Sequence, residues 1–313
     1  MNRYPAILLG VVLLGFGSMA TAQVTYTGTD DADAFLATGS SNNPAGTDLT
    51  GLNFGGAGTL VVASAASGKG EFQSLLKFNL AQAVALFNTN YGAGHWIITG
   101  ISLALTSNYG IGGVQPNNAV FPVVGGGHFV ITWLADDAWL EGTGTPNLPT
   151  TDGVTYDSLP GLLSGAHEIL GTNLYVPPGN NVPVSYPLPL TANLMADILA
   201  GGDVTFLLYA ADDQIGYLFN SYSYGRGNQP LINVTATASV AQLKILSGTF
   251  TNGAFRLTGL GNRSATYQIQ ANSDLSTTNW LTIGTATADG GGSIQFDDSG
   301  ATNQAQRFYR LSQ

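Results

Sequence analysis

Residues 132–146, TWLADDAWLEGTGTP, set Asp136, Asp137 and Glu141 beside Trp133 and Trp139 in a chain of which 9% is charged, against about 25% in an average soluble domain. Three chemistries use such residues. Two carboxylates about 5–10 Å apart cleave glycosidic bonds. Carboxylates combined with amide and carbonyl oxygens hold Ca2+ in irregular loops. Aromatic faces stack on the apolar face of a sugar while neighbouring amides and hydroxyls satisfy its polar edge. Geometry weighs against the first. Neighbours on a strand point to opposite faces, so Asp136 and Asp137 share a substrate only inside a turn, and acidic pairs at strand ends are mostly turn formers or cation ligands.

Calcium is the stronger acidic reading, with Asp136, Asp137 and Glu141 as its ligands and the groups Asp30-Asp31-Asp33 and Asp212-Asp213 as further candidates. Its role would be structural, because an ion bound only by the folded state adds to folding free energy. For sugar stacking the candidates are Trp139, past Asp137 in an expected corner, and Tyr222 and Tyr224, which flank a Gly-Arg-Gly-Asn turn. Trp133 follows Phe-Val-Ile in an alternating run and reads as core.

Other chemistries lack their residues. His95, His128 and His167 are far apart and cysteine is absent, whereas zinc needs convergent nitrogen or sulfur ligands. No Gly-x-Ser-x-Gly elbow is present, and the strings GGAGTL and GIGGVQ lack the spaced glycine and following helix of a dinucleotide site. With 9 Lys+Arg against 19 Asp+Glu, the basic residues scattered, nucleic acid and anionic membranes are disfavoured as partners.

The elements that must position these side chains are strands. Arg3, the apolar run Ala6–Phe16 and Ala20-Thr21-Ala22 form an expected signal peptide, residues 1–22, cut after Ala22. The mature chain is then exported and has no span long enough for a bilayer. It must hold together without disulfides. From Gln23 to about Thr237, short apolar or alternating runs are cut by Gly, Asn and Pro: Leu60–Val62, Leu75–Leu80, Trp96–Leu105, His128–Leu134, Val204–Ala210 and Leu231–Val234. Such spacing predicts a sandwich or barrel. One helix is expected, in TANLMADILAGG, with Thr191 as cap and Gly201 as stop. A small polar stretch gives a linker at 238–242, and period-two runs over 243–313 give a second, compact β module.

The segments TDDADAFLATGSSNNPAG, FQSLLKFNL and FNSYSYGRGNQPLINV, with TWLADDAWLEGTGTP between them, resemble the successive landmarks of the DNRLRE-type domain over about residues 26 to 237. That resemblance implies a jelly-roll-like β-sandwich on secreted or surface proteins, some of which bind acidic or neutral polysaccharides. The Thr-Trp-Asn segment that often follows the family's Trp-Glu-Gly corner is replaced here by PNLPTTDGVTY, so no binding residue is carried over. The tail from Lys244, with YQIQANSDLSTTNW and RFYRL, resembles the fibronectin-III-like accessory module of secreted Verrucomicrobia and Planctomycetes proteins.

The expectation is thus an all-β chain: a jelly-roll-like sandwich followed by a small fibronectin-III-like one. The leading functional expectation is a secreted, non-catalytic protein that binds extracellular or cell-envelope polysaccharide. An extracellular scaffold or adhesin with a surface protein as partner comes second, and a polysaccharide lyase or hydrolase third.

Overall fold

The computed structural model describes residues 23–39, 47–67, 70–107, 127–175, 182–213, 216–225, 227–239, 243–262, 264–289 and 292–312. The expected leader lies outside them. The chain divides into two compact units, Ala22–Ala238 and Ser239–Gln313.

In the first unit, one antiparallel sheet runs in the order β1 (Val24–Thr29), β11 (Leu231–Ala238), β5 (Trp96–Thr106), β8 (Pro183–Leu188). The other runs β10 (Gly216–Asn220), β3 (Thr59–Ala63), β4 (Phe72–Asn79), β9 (Asp203–Ala210), β6 (Gly127–Leu134), β7 (His167–Tyr175), and β2 (Ala32–Ala37) also pairs with β4. Inward residues of both sheets share one core, with Leu76, Phe129 and Phe206 from the second sheet meeting Leu103, Tyr186 and Val234 from the first. This is the all-β sandwich expected from the sequence. The pleat drives it, since alternate side chains turn toward the facing sheet, while the opposite faces of β2, β4 and β9 pack into clusters of their own.

Strand β3 pairs with β4 only at Ala63 and Phe72. Beyond that point the buried Ser74 hydroxyl replaces the ladder, donating to the Val61 carbonyl at 2.8 Å and accepting the Val61 N–H at 2.9 Å. One side chain thereby satisfies two buried backbone groups that would otherwise carry a desolvation cost.

Helix α3 (Ala192–Ala200) forms where its signals stand: Leu194 N–H donates to Thr191 Oγ1, and Gly201 closes the helix at φ 71°. Two helical segments depart from the single expected helix. A short α2 (Leu159–Leu162) holds Pro160 in its first turn, and α1 (Ala81–Tyr91) follows β4 directly. Ala83 and Phe87 of α1 are buried and Val84, Leu86 and Tyr91 pack partly against the core, so helical spacing was present from Leu80 to Tyr91 but followed the β4 run without a break. Its start is marked instead by Asn79, whose Oδ1 accepts the Ala81 N–H at 3.2 Å. Among the described residues no helix is long and apolar enough to cross a membrane.

The second unit has two three-stranded antiparallel sheets, β12 (Lys244–Thr251), β13 (Ala254–Leu260), β16 (Ser293–Asp298) and β15 (Leu281–Thr287), β14 (Thr266–Asn272), β17 (Phe308–Ser312). Phe255, Leu257, Tyr267, Ile269, Ile294 and Tyr309 fill its core. The stacked Phe255 and Tyr309 rings lie 5.2 Å apart, and the buried Asp298 carboxylate takes the Tyr309 hydroxyl at 3.0 Å and Arg307 Nε at 3.1 Å. Because this core is complete within the unit, Ser239–Gln313 expressed alone should melt cooperatively. A non-cooperative thermal trace for that fragment, beside a cooperative one for the full chain, would reject its independence.

Candidate functional site

Strand β6 ends at Leu134, and the chain then runs irregularly through residues 135–154. Lys77 and Asn53 hold this corner. The Lys77 ammonium donates to the carbonyls of Asp137 at 2.8 Å and Trp139 at 2.7 Å and lies 4.6 Å from the Trp139 ring centre. Asn53, fully buried, donates from Nδ2 to the carbonyls of Glu141 at 2.6 Å and Val154 at 2.8 Å. Its Oδ1 accepts the N–H groups of Gly55 and Gly144, both at 3.1 Å. Side chains do not fit around this amide: a Cβ on Gly144 would meet the Asn53 carbonyl oxygen, and one on Gly55 the Glu141 carbonyl oxygen.

The corner points inward, which corrects the expected exposure of Trp139. That residue is 5% exposed and packs among Leu36, Leu75, Leu134, Val154 and Leu207. Its Nε1–H donates to the buried Thr205 hydroxyl at 3.0 Å. No face of the indole is left for a sugar, since Lys77 covers one side and the cluster the other. Trp133 is core as expected, 5% exposed, with its Nε1–H on Asp197 Oδ2 at 2.8 Å.

The expected metal set Asp136, Asp137 and Glu141 is not brought together either, because its members serve different neighbours. Asp136 Oδ1 accepts the Ala138 N–H at 2.9 Å and forms a turn. Asp137 faces Thr205, Asp197 and Asp203; burial pushes its carboxyl up to about 6, the two aspartates add to the rise, and the Thr205 hydroxyl and Lys77 oppose it. Glu141 turns the other way, where its Oε1 accepts the Asp33 N–H at 3.4 Å and burial again raises its carboxyl. Asp212 is taken by His128, whose N–H and ring Nδ1 meet Oδ2 at 2.6 and 3.0 Å. That hydrogen bonding lowers the exposed Asp212 carboxyl. Among the described residues no three His, Cys, Asp or Glu side chains converge on a common centre.

A tighter pair lies next to Glu141. Asp30, just past β1, and Asp33, on β2, are each 1% exposed and lie side by side, close enough to act on each other's protonation. Burial pushes both carboxyls above the usual carboxylate range, most strongly Asp30, on which the charges of Asp33 and Glu141 also act. The pair is pinned by backbone. Asp30 N–H donates to the Pro230 carbonyl at 3.3 Å, and Tyr222 N–H donates to Asp33 Oδ2 at 2.6 Å. A carboxylate pair so enclosed has no access to a polymer chain and is unsuited to glycosidic general acid–base work.

Above the pair sits the turn Tyr222–Tyr224, closed by Gly225 at φ 68°. Its stem is Ser221, fully buried, whose hydroxyl donates to the Ala57 carbonyl at 2.6 Å. Tyr222 is 50% exposed and Tyr224 is half-buried. Of the three expected sugar contacts, then, the two tyrosines reach solvent and the tryptophan does not. Asn220, which ends β10, completes the neighbourhood and carried no sequence signal beyond its place ahead of the turn.

No protein-family profile and no curated protein matches this chain. Among solved structures it is similar to a β-1,2-glucanase from Parabacteroides distasonis at 11% identity and a TM-score of 0.19. The match covers 93% of this chain and 36% of that one. A likeness at that score carries no argument about fold or activity.

Proposed function

We propose that this chain is an exported, non-catalytic protein that binds an extracellular or cell-envelope polysaccharide at the Tyr222–Tyr224 turn. The observation that supports this reading is an exposed ring on a fixed backbone: Tyr222 is 50% exposed while its own N–H is held by a buried carboxylate at 2.6 Å. An aromatic side chain so placed loses little freedom on stacking, which is what makes tyrosine an efficient contact residue. The scarcity of charge in the chain also suits a neutral, hydroxyl-rich ligand.

A polysaccharide array, followed by affinity electrophoresis on any glycan retained, tests the reading. Tyr222→Ala should weaken retention about tenfold or more, the scale of a lost contact anchor, with the melting temperature moving by about 2 °C or less. Equal retention by the variant, or no retained glycan at all, would reject it.

The second reading, an extracellular scaffold or adhesin for a protein partner, is favoured by β7. This strand lies at the edge of its sheet with Ile169 61% and Leu174 52% exposed, and an unpaired edge bearing apolar side chains is a template for an added strand. Substitutions on the turn and on the edge separate the two readings.

A further inference from the structure

We infer that Asp30, Asp33 and Asn220 form a calcium site beneath the Tyr222 turn. The inference stands apart from the polysaccharide reading, because its test reads the cation directly.

Asp33 and Asn220 lie on strand faces that feed one apolar cluster, and Asp30 lies beside Asp33. Alternation puts Asp33 on the face of β2 that carries Phe35 and Ala37, and Asn220 on the face of β10 that carries Leu218; Phe35, Ala37 and Leu218 pack in a single cluster. The segment after Asn220 crosses the pair, since Tyr222 N–H lies on Asp33. The segment that supplies the Asp30 partner also holds the Asn220 amide, whose Nδ2 donates to the Asn228 carbonyl at 3.3 Å two residues before Pro230. With its nitrogen fixed outward on Asn228, the amide presents Oδ1 on its other side. Among the described residues no donor reaches Asp30 Oδ1, Asp30 Oδ2, Asp33 Oδ1 or Asn220 Oδ1. Asn220 is 0% exposed.

Four buried acceptor oxygens without donors, two of the three groups acidic, are costly unless a positive centre satisfies them. A proton shared between the two carboxyls serves that pair but offers nothing to the amide oxygen. A hard cation serves all three groups. Lys77, a basic side chain of the neighbouring corner, is engaged with two carbonyls and an indole. Oxygen-only ligands exclude a preference for soft or nitrogen-seeking metals. Burial decides between the common hard ions: Mg2+ dehydrates reluctantly and keeps several waters, whereas Ca2+ accepts an irregular cage of protein oxygens. Two carboxylates and a side-chain amide supply four oxygens of the about six to eight that Ca2+ takes, carbonyl oxygens or water filling the rest of its irregular shell. Glu141 adds negative potential from its edge.

The test uses the full chain, stripped with EDTA and returned to millimolar CaCl2 or MgCl2. Calcium should raise the melting temperature by about 5 °C or more, and magnesium far less. Tb3+ should bind once per chain, luminesce on excitation of the aromatic residues, and be displaced by Ca2+. Asp30→Asn and Asp33→Asn should abolish the calcium response, while Asp136→Asn, at the corner, should keep it. Should neither carboxylate variant fold, Asn220→Ala leaves both acids in place and should weaken Ca2+ binding about tenfold or more. A wild-type chain indifferent to Ca2+ and Tb3+ would overturn the site and leave the pair with a shared proton. So would a calcium response that survives both Asp30→Asn and Asn220→Ala, or one that Asp136→Asn removes.

Discussion

Replacing Trp139 with alanine should lower the stability of the first unit by about 3–5 kcal/mol, the cost of emptying a large aromatic site in a packed core. The indole is 5% exposed, fills the space between β2, β4, β6 and β9, and lies against Leu36, Leu75 and Leu207. Its loss would also strip Thr205 Oγ1 of the Nε1–H that reaches it at 3.0 Å, and Lys77 of the ring face at 4.6 Å. Trp139→Phe separates the contributions. Phenylalanine restores most of the apolar contact and omits the hydrogen bond, while Thr205 keeps Asp137 as a partner, so that variant should lose only about 1–3 kcal/mol for the missing bond and residual volume. Urea unfolding of both variants measures the difference. A loss under about 1 kcal/mol for Trp139→Ala would mean that the indole is not core.

The burial of Trp139 illustrates what local pattern conveys and what it omits. Strands such as His128–Leu134 and Val204–Ala210 were legible because short, nearly continuous apolar runs rich in β-branched and aromatic residues mark strands buried on both faces, and the pleat then sends neighbours to opposite sides. That rule stops at Leu134. In the irregular stretch beyond it, direction is set by partners remote in the chain: Asn53 reaches Glu141 across 88 positions, and Lys77 reaches Trp139 across 62. No periodicity records such contacts. The acids show the same limit. Asp30, Asp31, Asp33, Asp136, Asp137 and Glu141 were all visible as oxygen ligands, and adjacency in sequence matched association in space for Asp30 and Asp33 but not at the corner, where Asp137 and Glu141 diverge while Asp33 and Glu141 approach. One signal was available in TDDADAFLA, where Asp33 alternates in phase with the buried Phe35 and Ala37. An acid on the apolar phase of a strand is placed inward by the strand. Tyr222 and Tyr224 were legible for the opposite reason, since a Gly-rich turn keeps its flanking residues near the surface.

Asn53→Ala should be the most damaging single truncation at the corner, costing about 4 kcal/mol or more. One amide serves four buried backbone groups, with the carbonyls of Glu141 and Val154 on one side and the N–H groups of Gly55 and Gly144 on the other. Each orphaned group costs about 1–3 kcal/mol, and partial relaxation keeps the total below the sum. Asn53→Asp is the sharper variant, because it keeps the shape and the two accepted hydrogen bonds while turning a donor into a charged acceptor against two carbonyl oxygens. It should therefore destabilise nearly as much as alanine at neutral pH. Packing alone predicts a different ranking, in which the isosteric aspartate is mild and alanine severe. Thermal and urea unfolding of the two variants, read beside hydrogen exchange at Gly55 and Gly144, distinguishes these outcomes. A mild aspartate variant with Gly55 and Gly144 still protected would show that the donated hydrogen bonds do not hold the corner, leaving Lys77 as its principal clamp.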